Sequence, residues 1–200
     1  MFIFALLLNL SPAFAITAKP GAPPNLYRCP DSHYTTSRYA HGADRVWCIE
    51  MRQTRQIYKR NLFQELDFEC RQKGGMLTGF QNKTEFMEAY NMGMKKDSYY
   101  KYRKSIIIIG VKRKNGCTSV TRPYCTKING YKWNDVFTNG TRFFEEMEFG
   151  YRQPNPDHGR RMCIGVGSED LKIYSYSCDE SHQRRPAMLF MCGMAGRRYL

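Results

Sequence analysis

The sequence contains none of the short motifs that mark common hydrolases or zinc sites. It has no GxSxG, no HExxH and no CxxC, and its four histidines (33, 41, 158 and 182) have none of the spacings typical of zinc ligands. It also has no internal repeat and no low-complexity tract. We therefore expect a protein that is not an enzyme, holds no zinc and is not built from repeats.

Long apolar runs are absent after the first fifteen residues. Residues 1–15 read MFIFALLLNLSPAFA and end in the small-x-small triplet Ala13-Phe14-Ala15, which is typical of a signal peptide cleaved after Ala15. Asn9, Ser11 and Pro12 interrupt the run, so a retained membrane anchor is the weaker interpretation. The sequence predicts a secreted, extracellular protein without a membrane span.

The rest of the chain has the length of one domain. Residues 16–28 are rich in Pro, Ala and Gly at their start and predict a flexible leader. We place the folded domain at 29–194 and a C-terminal tail at 195–200.

Acidic residues are scarce: 18 Asp and Glu stand against 31 Lys and Arg, which gives a formal net charge of +13. Such a surface attracts polyanions, including acidic glycans and anionic lipid. An excess charge that only keeps a secreted protein soluble is an equally good explanation. Specific nucleic-acid binding is disfavoured, because the sequence contains no recognised nucleic-acid-binding module.

The number of cysteines indicates whether the protein folds in an oxidising compartment. All eight cysteines (29, 48, 70, 117, 125, 163, 178 and 192) follow the predicted signal peptide. An even number of cysteines in a secreted chain predicts a disulfide framework. Their number alone leaves the pairing open.

Two helices and several strands are predicted by the apolar spacing. Leu62, Leu66 and Cys70 recur every four residues within 61–73, and a second helix runs from Asn82 or Thr84 to about residue 94. Runs of β-branched and other apolar residues then predict strands at 105–112, 162–166, 171–178 and 187–192. Between them, residues 113–157 are rich in Gly, Asn, Thr and Pro and predict a long structured loop. This order predicts an α+β domain with two helices and small antiparallel sheets.

Several short motifs now occur in an order that resembles the C-type lectin domain. They are Cys29-Pro30, Trp47-Cys48, a helix ending in Cys70, Gly74-Gly75-Met76-Leu77, Ile108-Ile109-Gly110-Val111, Tyr131-Lys132-Trp133-Asn134-Asp135, Gln153-Pro154-Asn155, Cys163, Cys178 and Phe190-Met191-Cys192. The resemblance spans nearly the whole chain after the leader. It is nearest to the secreted C-type-lectin-like proteins of nematodes.

This resemblance implies a disulfide-stapled C-type lectin-like fold and a pairing for each cysteine. The implied pairs are Cys29–Cys48, Cys70–Cys192, Cys117–Cys125 and Cys163–Cys178. The second of them would tie the first helix to the last long strand.

The resemblance also raises the question of calcium. In sugar-binding members of the family, a calcium ion in the long loop is held by side-chain oxygens. Here Gln153 and Asn155 supply two candidate oxygens, and Ca²⁺ prefers several oxygen ligands, carboxylates among them. A calcium-dependent lectin that uses Gln153 and Asn155 is therefore one hypothesis.

The remaining ligand positions argue against that hypothesis. Where the family has further ligands, this sequence has Arg161, Tyr174 and Ser175, and a guanidinium cannot ligate a cation. Asp157 and Glu169 could compensate. We expect no cofactor, with calcium possible but disfavoured, and we take Gln153, Asn155, Asp157 and Arg161 as the candidate ligand-binding residues.

Two further motifs have simple interpretations. Trp133-Asn134-Asp135 matches a core tryptophan followed by turn residues. The triplets beginning at Asn82 and Asn139 are acceptor sites for N-glycosylation. Asn82 is also a candidate helix cap.

Three hypotheses for function follow. The first is a secreted C-type-lectin-like protein that binds a glycan or protein ligand without calcium, and the second is the calcium-dependent lectin. The third is a cationic effector that coats anionic microbial or glycosaminoglycan surfaces. The sequence gives no oligomeric state.

Overall fold

The computed structural model describes residues 27–40, 43–53, 61–96, 105–117, 125–155, 162–178 and 187–198. The predicted signal peptide at 1–15, most of the predicted leader, and the candidates Asp157 and Arg161 lie outside these residues. Within them the chain forms ten strands and three helices. In chain order these are β1 (Tyr27–Arg28), β2 (Tyr34–Ala40), β3 (Ala43–Gln53), α1 (Leu62–Arg71), β4 (Met76–Leu77), α2 (Lys83–Lys96), β5 (Ile106–Arg113), β6 (Tyr131–Trp133), α3 (Arg142–Glu146), β7 (Cys163–Gly167), β8 (Ile173–Tyr176), β9 (Ala187–Ala195) and β10 (Arg197–Arg198).

Eight of the strands form one mixed sheet. Its order is β2-β3-β9-β5-β7-β8, with β4 paired to β9 and β6 paired to β5. All described pairs are antiparallel except β5 with β9. The α+β class is therefore confirmed, while the single mixed sheet and the five-residue helix α3 were not predicted. A parallel pair needs partners far apart in sequence, and no local pattern indicates it.

The two ends of the domain meet in a separate two-stranded sheet. β1 pairs with β10, Tyr27 opposite Arg198 and Arg28 opposite Arg197. The segments that we assigned to the leader (16–28) and the tail (195–200) thus each contribute a strand. This pairing was not predicted, because two-residue strands carry too few residues to show an alternating pattern. The domain boundaries at 29 and 194 stay a prediction.

The helices bury the faces that their spacing predicts. In α1 the side chains of Leu62, Leu66 and Cys70 are all buried. Before α2, Asn82 Oδ1 accepts a hydrogen bond from the Glu85 backbone N–H at 2.8 Å. Asn82 is therefore the N-terminal cap of α2.

Strand β5 separates two apolar clusters. Ile107, Ile109 and Val111 belong to the cluster beneath α2, and Ile106 and Ile108 belong to the cluster beneath α1. Because successive side chains of a strand point to opposite faces, a strand buried on both faces has the continuous β-branched sequence seen here.

The structure contains four disulfides and no free cysteine among the residues that it describes. They join Cys29 to Cys48, Cys70 to Cys192, Cys117 to Cys125 and Cys163 to Cys178. These are the pairs that the family resemblance implies.

One buried hydroxyl gives a test of the core. Tyr176 is 2% exposed, and its hydroxyl has no hydrogen-bond partner among the described residues. Burial raises the pKa of Tyr176 well above its ordinary value. Since the unfolded chain loses this proton near its ordinary pKa of about 10, Tyr176 adds no pH dependence to stability well below that pH and destabilises the fold progressively above it.

We expect Tyr176→Phe to raise the free energy of unfolding by about 1 kcal/mol at pH 7, because the phenylalanine buries no unpaired hydroxyl. The variant should also lose less stability than the wild type between pH 7 and about 11. Denaturant unfolding at both pH values measures this, with Tyr151→Phe as the exposed control. A loss of stability at pH 7 would show that the hydroxyl has an internal partner.

Candidate functional site

The Gln153–Asn155 segment is held beside strand β8 by the residues that precede it. Ile173 donates a backbone hydrogen bond to Glu148 O at 2.8 Å, and Gly150 donates one to Ile173 O at 2.9 Å. A Cβ on Gly150 would lie 2.3 Å from the Tyr174 ring. Glycine is therefore required where the loop passes over that ring.

A tight turn then lifts two side chains into solvent. Gln153 N donates to Gly150 O at 3.0 Å, and Arg152 has a positive φ of 56° at the corner. Tyr151 is 83% exposed, and the Arg152 guanidinium lies 5.1 Å from the centre of its ring. The turn thus presents an aromatic ring and a positive charge beside Gln153.

The Gln153 side chain itself faces the protein. The Gln153–Pro154 peptide is cis. Gln153 Oε1 accepts hydrogen bonds from Ser175 N at 2.9 Å and from Asn155 N at 3.1 Å. Asn155 N also lies 3.1 Å from Ser175 Oγ. The structure therefore brings Gln153, Asn155 and Ser175 together, and both lone pairs of the Gln153 oxygen have donors.

A buried cation lies behind this segment. The Tyr131 hydroxyl is hydrogen-bonded to Ser175 and accepts a hydrogen bond from Arg113 Nη1 at 3.1 Å. Arg113 is 2% exposed and also donates to Cys117 O and, at 3.4 Å, to Cys125 O. The guanidinium thus links the disulfide of the long loop to the Gln153–Asn155 segment through Tyr131 and Ser175.

Burial raises the pKa of Tyr131 to about 12, although the neighbouring Arg113 acts to lower it. The phenol is therefore neutral at physiological pH, and Arg113 leaves a net positive charge at the base of the site.

Arg113 was not predicted as a site residue, because in the sequence it contributes only to the net positive charge. Its register on β5 contained the signal, because positions 107, 109, 111 and 113 share one buried face.

Of the remaining candidate positions, the structure describes Tyr174 and Glu169. The Tyr174 hydroxyl donates to Asp170, and Glu169 is exposed in the turn before β8. Asp157 and Arg161 fall outside the described residues. In the part of the chain that the structure covers, no group of three His, Cys, Asp or Glu side chains could hold a metal ion.

Trp133 packs as predicted, but Asp135 does more than form a turn. Trp133 stacks on Phe144 with ring centres 5.0 Å apart. Asp135 accepts hydrogen bonds from the backbone of Phe137 and Thr138 at 2.9 and 2.6 Å, which is the predicted turn. Its other oxygen accepts from Gly79 N at 2.7 Å and connects the turn to a buried polar cluster.

That cluster centres on Arg38 of β2, which is 1% exposed. Arg38 donates to both carboxylate oxygens of Glu85 at 3.1 and 2.9 Å, and to Thr138 Oγ1 at 2.6 Å. Its Nη1 lies 3.6 Å from Asp135 Oδ1. Arg38, Thr78, Glu85, Asp135 and Thr138 are called the Arg38 cluster below. It joins β2, α2 and the turn after β6, so its role is structural.

The two candidate glycosylation sites differ in exposure. Asn139 is exposed and precedes Gly140, which has a φ of 79°. Asn82 is partly buried, and its oxygen caps α2. Glycosylation of either asparagine stays a prediction.

Within the described residues, no helix is both long enough and apolar enough to cross a bilayer.

No protein-family model matches the sequence, and no curated protein matches it.

Solved C-type lectin structures, in contrast, match the fold. The C-type lectin CEL-I from Cucumaria echinata has a TM-score of 0.52 and 14% identity, over 83% of this chain and 96% of that one. The C-type lectin domain of murine dendritic cell inhibitory receptor 2, solved in complex with N-glycan, has a TM-score of 0.51 and 11% identity, over 84% and 99%. The nearer similarity to nematode proteins stays a prediction. Together with the helices, the mixed sheet and the four disulfides, these matches show that the chain has the C-type lectin-like fold.

Proposed function

We propose that the chain is a secreted binding protein, without enzymatic activity, that recognises a glycan or protein ligand without calcium. The ligand binds on the surface formed by residues 151–155 and strand β8. The observation that carries the proposal is the engagement of Gln153 Oε1 by two backbone N–H groups, at 2.9 and 3.1 Å.

The residues of this surface do not fit a calcium ion. An oxygen that already accepts two hydrogen bonds has no lone pair left for a metal. The neighbouring positions on β8 carry the Tyr174 phenol and the Ser175 hydroxyl instead of carboxylates. Because calcium affinity depends on the number of charged oxygen ligands, this set is too poor to hold the ion.

The same surface has features that suit direct ligand contact. Tyr151 offers an exposed ring that can stack on a sugar or an apolar side chain, and Arg152 offers an exposed guanidinium. The buried Arg113 adds positive charge behind them. The murine neighbour was solved with an N-glycan, so a glycan is the first ligand class to test.

The extracellular space is the compartment that best fits the chain. Four disulfides and no free cysteine in the described residues suit an oxidising environment. The apolar stretch at 1–15 supports the same route.

A glycan array with neutral and sulfated chains, run in calcium, in chelator and at raised salt, tests the proposal. We expect equal binding in calcium and in chelator. Tyr151→Ala and Arg152→Gly should each weaken binding by about tenfold, and the glycine at residue 152 also suits the positive φ. Phe68→Ala, which removes another exposed ring on α1, is the matched control.

Two outcomes would contradict the proposal, and a third would narrow it to a protein ligand. Binding that is lost in chelator and in Gln153→Ala would restore the calcium-dependent lectin. If raised salt abolishes binding to every glycan on the array, the cationic effector is favoured instead. If the protein binds none of the glycans, a glycan ligand is excluded and a protein ligand is the one to search for.

A further inference from the structure

A positively charged surface lies where the two ends of the domain meet. In the sheet formed by β1 and β10, Arg28 is directly opposite Arg197. Both side chains are exposed. Directly opposite residues of an antiparallel pair have Cβ atoms about 5 Å apart, and like charges at such positions destabilise the pair. The pairing of the two ends therefore holds two guanidinium groups together against their mutual repulsion.

Strand β3 adds a third arginine to this pair. Beyond the last paired residues of β3 and β9, Gly196 N donates to Val46 O at 2.8 Å, so their antiparallel register continues by one residue. The next step along both chains places Arg45 beside Arg197. Arg45 and Arg28 flank Arg197 from opposite sides, because neighbouring residues of a strand direct their backbone N–H groups to opposite sides. We call Arg28, Arg197 and Arg45 the arginine row.

The arginine row lies on one face of these strands. A Cβ on Gly196 would lie 2.9 Å from Val46 Cβ and 3.5 Å from Tyr27 Cβ, so these three residues share a face. Each of them is next in the chain to one arginine of the row. Since successive side chains of a strand alternate between faces, the three arginines share the opposite face. Neighbouring strands are about 4.8 Å apart, so the row is on the order of 10 Å long at its backbone.

The charge of the arginine row is not balanced by its surroundings. Among the described residues, none of its three side chains forms an ion pair. Arg45 is opposite Arg38 in the pairing of β2 with β3, and the Arg38 cluster contains one guanidinium and two carboxylates. The single negative charge in excess there offsets at most one arginine of the row. An anion that approaches the exposed end of the row therefore meets a net positive charge.

We propose that the arginine row binds the sulfate groups of an extended acidic polysaccharide. A guanidinium donates two parallel hydrogen bonds to an oxyanion, and a sulfate between two of them removes their mutual repulsion. Because the row crosses three strands, it suits a ligand whose charges recur along its length. The choice of a polysaccharide rests on the extracellular location proposed above. The site is separate from the surface of residues 151–155, since β5 and β7 lie between β9 and β8 in the sheet.

Titration calorimetry of the mature chain at physiological salt tests this site. The probe is a sulfated, uronate-containing octasaccharide, compared with its desulfated form. We expect saturable binding of the sulfated probe and at least tenfold weaker binding of the desulfated one, because the sulfates are the groups that the guanidinium groups bind.

Two double variants separate the row from overall charge. Arg28→Gln/Arg197→Gln should bind the sulfated octasaccharide about tenfold more weakly. The control Lys95→Gln/Lys132→Gln removes the same charge from exposed positions on α2 and β6 and should retain the affinity. Arg152→Gly should also retain it, so this site and the surface of residues 151–155 succeed or fail separately.

The variant Arg28→Glu separates binding from folding. It places a carboxylate opposite Arg197, and an opposite-charge pair is more favourable at such a position than a like-charge pair. The unfolding midpoint without ligand should therefore stay the same or rise slightly, while the affinity for the octasaccharide falls more than tenfold.

Two results would overturn the inference. An equal loss of affinity in both double variants would mean that the probe follows overall charge and not the arginine row. If the wild type does not bind the octasaccharide but binds phosphatidylserine vesicles with the same dependence on Arg28 and Arg197, the ligand of the row is a membrane surface and not a polysaccharide.

Discussion

Replacing Arg38 by alanine is expected to lower the free energy of unfolding by about 3 to 5 kcal/mol, because the change leaves two buried carboxylates without their cation. Glu85 is 5% exposed and Asp135 is 3% exposed, so water cannot replace the guanidinium at either one. The alanine also removes donors to Thr138 Oγ1 and Gly79 O.

Denaturant unfolding of the disulfide-intact chain at pH 7 measures this effect. Arg142→Ala is the matched control, because Arg142 also pairs with a glutamate, Glu146, but its side chain is 71% exposed. An exposed pair of this kind contributes about 0.5 kcal/mol or less. The difference between the two alanine variants is therefore the effect of burial.

The two carboxylates can be tested separately. Glu85→Gln removes the charge that receives two hydrogen bonds from Arg38, whereas Asp135→Asn disturbs backbone donors as well. We expect Glu85→Gln combined with Arg38→Met to cost less than Arg38→Ala alone, because the pair leaves fewer buried charges. If Arg38→Ala cost as little as Arg142→Ala, the Arg38 cluster would be hydrated and would not hold the fold.

The Arg38 cluster marks the limit of what this sequence can predict. Arg38 lies in Tyr34–Ala40, whose residues are mostly polar, and arginine is rarely buried. Its main partner, Glu85, is 47 residues away in sequence. No local pattern joins the two, and only the fold brings them together.

Apart from the disulfide pairs, which the family resemblance implied, the predictions that succeeded depended on local order. The spacing of Leu62, Leu66 and Cys70 predicts α1, and the β-branched run at 105–112 predicts β5. A residue that belongs to a local apolar pattern indicates its helix or strand in the sequence, even when the residues it packs against are distant in the chain.

The candidate site was predicted in part, for the same reason. The motif Gln153-Pro154-Asn155 is visible in the sequence, but the orientation of the Gln153 amide is not. That orientation depends on a backbone N–H of Ser175, 22 residues later. Sequence can therefore name the candidate ligands, while their availability to an ion is a property of the fold.

Removing the disulfide between Cys70 and Cys192 should also cost about 4 to 5 kcal/mol of unfolding free energy. The two cysteines are 122 residues apart, so the disulfide closes a long loop in the unfolded chain and reduces its entropy. In the folded chain it fixes α1 to β9, which lies between β3 and β5 in the sheet. The double variant Cys70→Ala/Cys192→Ala tests this without leaving a free thiol.

Cys117→Ala/Cys125→Ala is the comparison that isolates loop length. Both sulfur pairs are buried, but Cys117 and Cys125 are only 8 residues apart, for which the same entropy estimate gives about 2 to 3 kcal/mol. Unfolding midpoints under non-reducing conditions should therefore fall further for the long-range pair. Equal losses would mean that the contacts of Arg113 with the short loop, and not chain entropy, decide what a disulfide contributes in this fold.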